Sequence, residues 1–375
     1  MRNWIFAAIL LAACGAAFAG TPQPPQVAAR AFVIVDLTSD QVLAERQADE
    51  RIEPASLTKL MTAYVVFAAM RDARLSLEQQ VQVSARAWRM PGSRSFLEPG
   101  IAVSVETLLR GMVVQSGNDA SVALAEAVAG SEELFVQLMN REAARLGLAG
   151  TRFANATGLP SAEHYSSARD LAVLAAALIR DYPEQYARFY ALREFRHNDI
   201  TQMNRNRLLW LDPSVDGVKT GFTEGAGYCL VASSARGGRR LLSVLVGADS
   251  EAARARESQK LLNWGYQFFD GVRLYAAGEA VKAVGVWKGA EPAVQAGFES
   301  GLVVTVPRGE AKLLAAELLT HPPVLAPVKR GDKVGVLRVA LDGQPLGEFP
   351  VVALQAVPQA GVLGRAWDTL RLWFK

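Results

Sequence analysis

The chain has 375 residues, half of them hydrophobic and 21% charged, and its 40 basic and 37 acidic side chains leave a net charge of +3. That length exceeds one small domain and suits two. The composition excludes a disordered or membrane-spanning chain, and the near-balanced charge supplies no broad basic field for nucleic acid.

The N-terminus reads as an export signal. Arg2 is followed by an apolar run over residues 5–13 and by the small-x-small triplet Ala17-Phe18-Ala19, which places cleavage after residue 19. The apolar run is too short for a membrane span. A second reading takes Leu11-Ala12-Ala13-Cys14 as a lipoprotein box with lipid on Cys14; it leaves an unusually short apolar core. After cleavage at residue 19, Cys229 is the only cysteine, so the mature chain has no internal disulfide.

Residues 31–47 alternate around a turn at Thr38-Ser39-Asp40, which predicts a β-hairpin. Pro54 then opens a long apolar helix to about residue 71. Residues 105–146 read as successive helices interrupted at Ser116-Gly117-Asn118, and another helix covers 167–180. Strands return at 215–221, 227–234 and 241–246, with a turn at Arg236-Gly237-Gly238-Arg239, before a helix over 252–269. Strands at both ends with helices between predict one α+β domain, its sheet closed by distant segments.

Beyond Asp270, short β-like runs at 281–287, 302–306, 333–340 and 348–354 predict a second, all-β domain over residues 270–360. Residues 361–375 predict a short amphipathic helix. Val362, Leu363, Ala366, Trp367, Leu370, Trp373 and Phe374 share one face, opposite Arg365, Asp368, Arg371 and Lys375, with Leu372 misplaced among the charges. Such a face suits a lipid interface, and docking on the protein's own surface is the other reading.

Three short motifs carry chemistry. In Ser56-Leu57-Thr58-Lys59 the amine lies three residues after the hydroxyl, on the same helix face. A serine is a weak nucleophile until a base takes its proton, and a lysine is that base only when neutral. Ser116-Gly117-Asn118 supplies a hydroxyl and an amide able to relay a proton and hold a substrate amide. Lys219-Thr220-Gly221 places a cation and a hydroxyl, suited to a carboxylate, on a strand able to pair with an extended peptide. The amides of Ser56 and Phe222 are placed to form an oxyanion hole. His164, His197 and His321 show no metal-ligand spacing, no His-Glu-x-x-His occurs, and no phosphate-binding fingerprint follows a strand, so neither metal nor cofactor is expected.

The three motifs in this order resemble those of penicillin-binding proteins and class A β-lactamases. The wider match resembles the low-molecular-weight penicillin-binding proteins that are D-alanyl-D-alanine carboxypeptidases. It runs through Ile52-Glu53-Pro54-Ala55-Ser56-Leu57-Thr58-Lys59, Gln115-Ser116-Gly117-Asn118-Asp119, Tyr165-Ser166-Ser167-Ala168-Arg169-Asp170, Asn204-Arg205-Asn206 and Val215-Asp216-Gly217-Val218-Lys219-Thr220-Gly221. The resemblance implies a β-lactamase/transpeptidase-like catalytic domain (residues 20–269) with an antiparallel sheet, flanking helices and a helical subdomain. A small all-β domain and an anchoring helix on the outer face of the inner membrane would follow it.

It also implies Ser56 as acylated nucleophile, Lys59 as general base, and Ser116 with Asn118 as relay. Lys219 and Thr220, with Arg205, would bind the terminal carboxylate. The implied partners are peptidoglycan pentapeptides, β-lactams and the membrane surface, in the periplasm, with no nucleic acid. Phe222 departs from the histidine that family members often have there, which puts substrate preference in doubt. A DD-endopeptidase, a β-lactamase and a non-turnover β-lactam sensor remain alternatives. The β-lactamase would need a glutamate to activate the deacylating water, and Glu163 is the nearest candidate.

Overall fold

The computed structural model describes residues 22–320 and 323–373. The export signal, Cys14 and His321 lie outside them, as do Phe374 and Lys375.

The predicted hairpin is β1 (Ala31–Asp36) and β2 (Gln41–Arg46). Helices α1 (Lys59–Arg71), α2 (Asn118–Ala129) and α3 (Ala168–Asp181) follow. The chain then returns as β3 (Val215–Thr223), β4 (Gly227–Arg236) and β5 (Arg239–Ala248), and finishes the unit with α4 (Glu251–Phe268). The five strands form one antiparallel sheet in the order β2-β1-β5-β4-β3. Because β1 pairs with β5 from Ala31↔Val246 to Asp36↔Leu241, residues about 200 positions apart close the sheet.

Alternation along β1 shows why its sequence is apolar throughout. Ala31 and Val33 face the core shared with α1 and α3, whereas Phe32 and Ile34 face the core shared with Leu261, Leu262 and Trp264 of α4. Both faces of the sheet are covered, and each fully buried Ile or Leu side chain contributes about 1.5–3 kcal/mol. β3, at the sheet's edge, leaves one side of its backbone for the site.

A second, all-β body follows over residues 269–353, with its own core of Val294, Val304, Val339 and Val351 among others. It holds a six-stranded sheet and a two-stranded ribbon. Four runs expected as strands are strands, and four more occur that the pattern did not reveal: Phe269–Tyr275, Ala293–Gly297, Leu314–Thr320 and Val324–Leu325. Leu314–Thr320 consists mostly of helix formers, yet it pairs across seven positions with Lys333–Leu341; long-range pairing overrides local propensity here. A helix, Val362–Trp373, closes the described chain, with Val362, Leu363, Trp367 and Leu370 exposed. No described helix is long and apolar enough to cross a membrane.

Asp36, fully buried at the end of β1, joins the two bodies. It accepts from Arg239 Nε at 2.5 Å, from Thr305 Oγ1 at 2.7 Å and from the Thr38 amide at 2.9 Å. Removing one partner of such a pair leaves an uncompensated buried charge, a loss of about 3–5 kcal/mol. Asp36→Ala is therefore expected to lower the unfolding free energy by about 3 kcal/mol or more, measured as a shift in the urea midpoint at unchanged slope. An unshifted midpoint would remove this assignment.

Candidate active site

The expected helix start is tighter than predicted. Ala55–Thr58 is a 3-10 turn, and α1 begins only at Lys59. Residues three apart eclipse in that geometry, so the turn brings Ser56 directly under Lys59. The backbone enters it through Ala55 at φ +48°, a left-handed conformation that an alanine rarely adopts.

Lys59 is 1% exposed. Its Nζ lies 3.0 Å from Ser56 Oγ, 2.8 Å from Asn118 Oδ1 and 2.6 Å from the Thr157 carbonyl. Asn118 Nδ2 donates to the Pro91 carbonyl, which turns its Oδ1 toward the amine. Two of the three neighbours are therefore pure acceptors. A neutral amine satisfies both with its two N–H bonds and is left with a lone pair facing the serine hydroxyl. Burial, reinforced by the Arg205 charge and opposed by Asp119, lowers the Lys59 pKa to about 7.

The second motif follows a π-turn, Gly111–Gln115, which widens the helix before α2. The turn ends on Ser116 at φ +67°, a strained left-handed conformation for a serine, and its buried Oγ has no hydrogen-bond partner among the described residues. The next acidic residue, Asp119, accepts from the amides of Ser95 and Leu97 and so fastens residues 91–97 beside the site.

On β3, Gly221 lets the edge strand press on the nucleophile turn. A Cβ there would lie 3.2 Å from Leu57 Cγ and 3.3 Å from the Pro54 carbonyl. Lys219 is buried and donates to the Thr220 carbonyl at 3.1 Å. Burial first, then the charges of Lys59, Arg205 and Arg254, push its pKa well below the ordinary lysine value. Of the nine residues singled out in the sequence, seven line one cavity of about 410 Å³, and Lys59 and Lys219 stand behind its wall. Phe222 sits at the rim, 50% exposed, with its ring 4.4 Å from that of Tyr228.

Two residues of the site went unread in the sequence. Arg254, in the first turn of α4, looks like an ordinary solvated charge on a helix. It is instead buried against the cavity, reaching the Gly221 carbonyl at 3.4 Å and the Arg205 carbonyl at 3.3 Å. With it the wall holds two arginines and one carboxylate, Glu251, in front of two buried lysines. Two guanidiniums against one carboxylate leave the wall net positive, which suits an anion.

His164, given no role above, supports the nucleophile turn. Its Nδ1 accepts from the Ala154 amide at 2.9 Å, so Nε2 carries the proton and donates to Thr58 Oγ1 at 2.7 Å. Burial and the Lys59 charge lower its pKa to about 4, so the ring is neutral. In the loop that it closes, Asn155 Oδ1 captures the amides of Thr157 and Gly158, fixing the carbonyl that Lys59 uses. Gly158, at φ +87°, leaves no room for a side chain, since a Cβ would lie 1.8 Å from the Ala55 carbonyl oxygen. Glu163 is exposed and pairs with Arg152 at 3.4 Å, and it does not line the cavity.

Two outcomes follow. The rate at which Ser56 is acylated should rise with pH through about 7, falling about tenfold per unit below it as Lys59 takes up a proton; a flat profile from pH 5 to 9 would contradict this. Gly158→Ala should cut that rate at least about tenfold by displacing the Ala55 turn, read by stopped-flow labelling, and an unchanged rate would show that the contact is slack.

The chain is similar to known proteins over most of its length. The family described as D-alanyl-D-alanine carboxypeptidase matches residues 19–250, and the penicillin-binding protein 5 C-terminal domain matches residues 269–359. The D-alanyl-D-alanine carboxypeptidase DacC of Escherichia coli is 44% identical, over 94% of this chain and 90% of its own. The structure of penicillin binding protein 5 from Haemophilus influenzae superposes with a TM-score of 0.85 at 37% identity, covering 90% of this chain and all of that one. Penicillin-Binding Protein D2 from Listeria monocytogenes, in an ampicillin-bound form, gives 0.60 at 29% identity, over 65% of this chain and 100% of its own.

Proposed function

This chain belongs to the D-alanyl-D-alanine carboxypeptidase family, and we propose that it removes the terminal D-alanine from peptidoglycan pentapeptides with Ser56 as nucleophile and Lys59 as its base. The observation that carries this reading is the buried Lys59 amine, whose two fixed acceptors aim its lone pair at Ser56 Oγ.

The substrate peptide lies along the open edge of β3. Its terminal carboxylate meets Arg205 and Thr220 at the cavity wall, and Arg254 adds to the positive field, with Lys219 buried behind the wall. Lys59 takes the hydroxyl proton as Ser56 Oγ attacks the carbonyl carbon of the penultimate D-alanine. The amides of Ser56 and Phe222 hold the oxyanion, each worth about 3 kcal/mol of transition-state stabilisation. Collapse breaks the C–N bond; Ser116 relays the proton to the leaving nitrogen, and free D-alanine departs. Water then enters, Lys59 takes one of its protons, and hydrolysis of the ester frees the tetrapeptide and Ser56.

A penicillin is attacked in the same way, but the amine it releases stays tethered to the acyl group, so the leaving group never clears the site. The ampicillin-bound Listeria relative supports that reading.

The N-terminal 19 residues direct export to the periplasm and are removed. Residues 20–269 form the catalytic unit, 270–360 the β-rich unit, and 361–375 lie along the outer face of the inner membrane. The exposed Val362, Leu363, Trp367 and Leu370 support this last role.

Mass spectrometry of muropeptides is the test. Wild-type protein should convert pentapeptides to tetrapeptides, while Ser56→Ala should neither do so nor take covalent label from penicillin. Full turnover by Ser56→Ala would end the proposal. Deletion of residues 361–375 should free the protein from membranes with soluble-peptide activity intact, and unchanged sedimentation would dismiss the anchor.

A further inference from the structure

A second cavity, of about 520 Å³, lies where the turn between β4 and β5 meets the strand Phe269–Tyr275. Its wall carries four guanidinium groups, from Arg236, Arg239, Arg273 and Arg308, against a single carboxylate, Asp270. Asp212 and Asp36, which pair with Arg236 at 2.7 Å and Arg239 at 2.5 Å, are buried behind the wall rather than in it.

The donors are not used up by the protein. Arg239, its side chain 12% exposed, gives Nε to Asp36 and Nη1 to the carbonyls of Phe269 and Gly265, while its buried Nη2 has no acceptor among the described residues. Arg308 pairs with Asp270 at 3.1 Å. Arg273, also on the wall, makes no ion pair among the described residues. The ring of Tyr266 lies 4.5 Å from the Arg236 guanidinium and 5.7 Å from that of Arg239, holding both planes in place. Arg236 gives Nε and Nη2 to Ser214, Asp212 and Asn263, and Arg308 gives Nε and Nη2 to Asp270 and the Tyr266 carbonyl, so the donors left for an acid group are their Nη1 groups and the guanidinium of Arg273.

We infer that this junction cleft binds a carboxylate of the peptidoglycan polymer, on a stem peptide other than the one being cut; the inference rests on the substrate proposed above. Distance decides which peptide. Tyr228, at the catalytic cavity, and Arg236, at the cleft, stand at opposite ends of β4, about 27 Å apart for eight residues of strand. An extended pentapeptide reaches only about 17 Å. A polymer that bears many acidic peptides occupies both places at once. The cleft then raises the effective concentration of scissile ends for polymeric substrate and does nothing for a free peptide.

Purified sacculi are the probe, in co-sedimentation with full-length protein whose catalytic cavity has been filled with penicillin. Arg273→Glu and the double variant Arg273→Glu/Arg308→Glu are compared with wild type, on untreated sacculi and on sacculi whose carboxylates have been amidated. Wild type should bind untreated sacculi with salt-sensitive affinity. Both variants, and wild type on amidated sacculi, should bind at least about fivefold more weakly. Arg273→Glu breaks no side-chain hydrogen bond or ion pair among the described residues, so its effect does not depend on the ion pairs that hold the junction. Wild-type affinity in the variants, or equal binding to amidated sacculi, would overturn the inference. Turnover of soluble pentapeptide should be the same in all three proteins; its absence in wild type would count against the proposed reaction, whereas the sacculus comparison reads the cleft.

Discussion

The whole site is arranged around an amine that must not be charged. Lys59 is sealed from water, and two of its hydrogen-bonding positions are taken by acceptors that cannot give a proton back. The third faces Ser56 Oγ at 3.0 Å. A buried ammonium would be satisfied by the same three contacts but would offer the serine no lone pair. Desolvation first, and then the Arg205 charge, tip the balance toward the free base.

Much of the surrounding architecture exists to hold that amine and hydroxyl together. The 3-10 turn aligns them, Gly221 lets β3 press on the turn from one side, and Gly158 lets the loop carrying the Thr157 carbonyl press from another. Two non-glycine residues of the turns that carry Ser56 and Asn118, Ala55 and Ser116, are held at positive φ. Strain of this kind persists only where the surrounding structure over-determines it, and here the three-layer core and the His164 clamp provide that rigidity. The crowd of cations has a second consequence. Arg205 and Arg254 line the cavity and suit it to an anion, and the Arg205 charge adds to burial in disfavouring a proton on Lys59.

A good part of this was legible in the sequence because it depended on short-range patterns. Ser56 and Lys59 are spaced for a common face, Gly237-Gly238 marks the turn of the β4–β5 hairpin, and the β-branched apolar run of β1 marks a strand. What escaped depended on partners remote in the chain. Arg254 has the signature of a surface helix residue, and only the closure of β3 against α4 buries it. His164 has no motif, since its role is set by Thr58, which lies 106 residues earlier. The strand Leu314–Thr320, built mostly of helix formers, gives no strand pattern by itself and is defined by its partner Lys333–Leu341.

Direct observation of the Lys59 amine tests this account most sharply. With the lysine side chains labelled with 15N, the Nζ resonance absent from Lys59→Arg protein can be assigned and titrated by NMR. The account predicts a midpoint at about 7, with the amine predominantly neutral at pH 8. An Nζ that remains charged above pH 9 would contradict it, because the buried group would then have no lone pair to offer the serine.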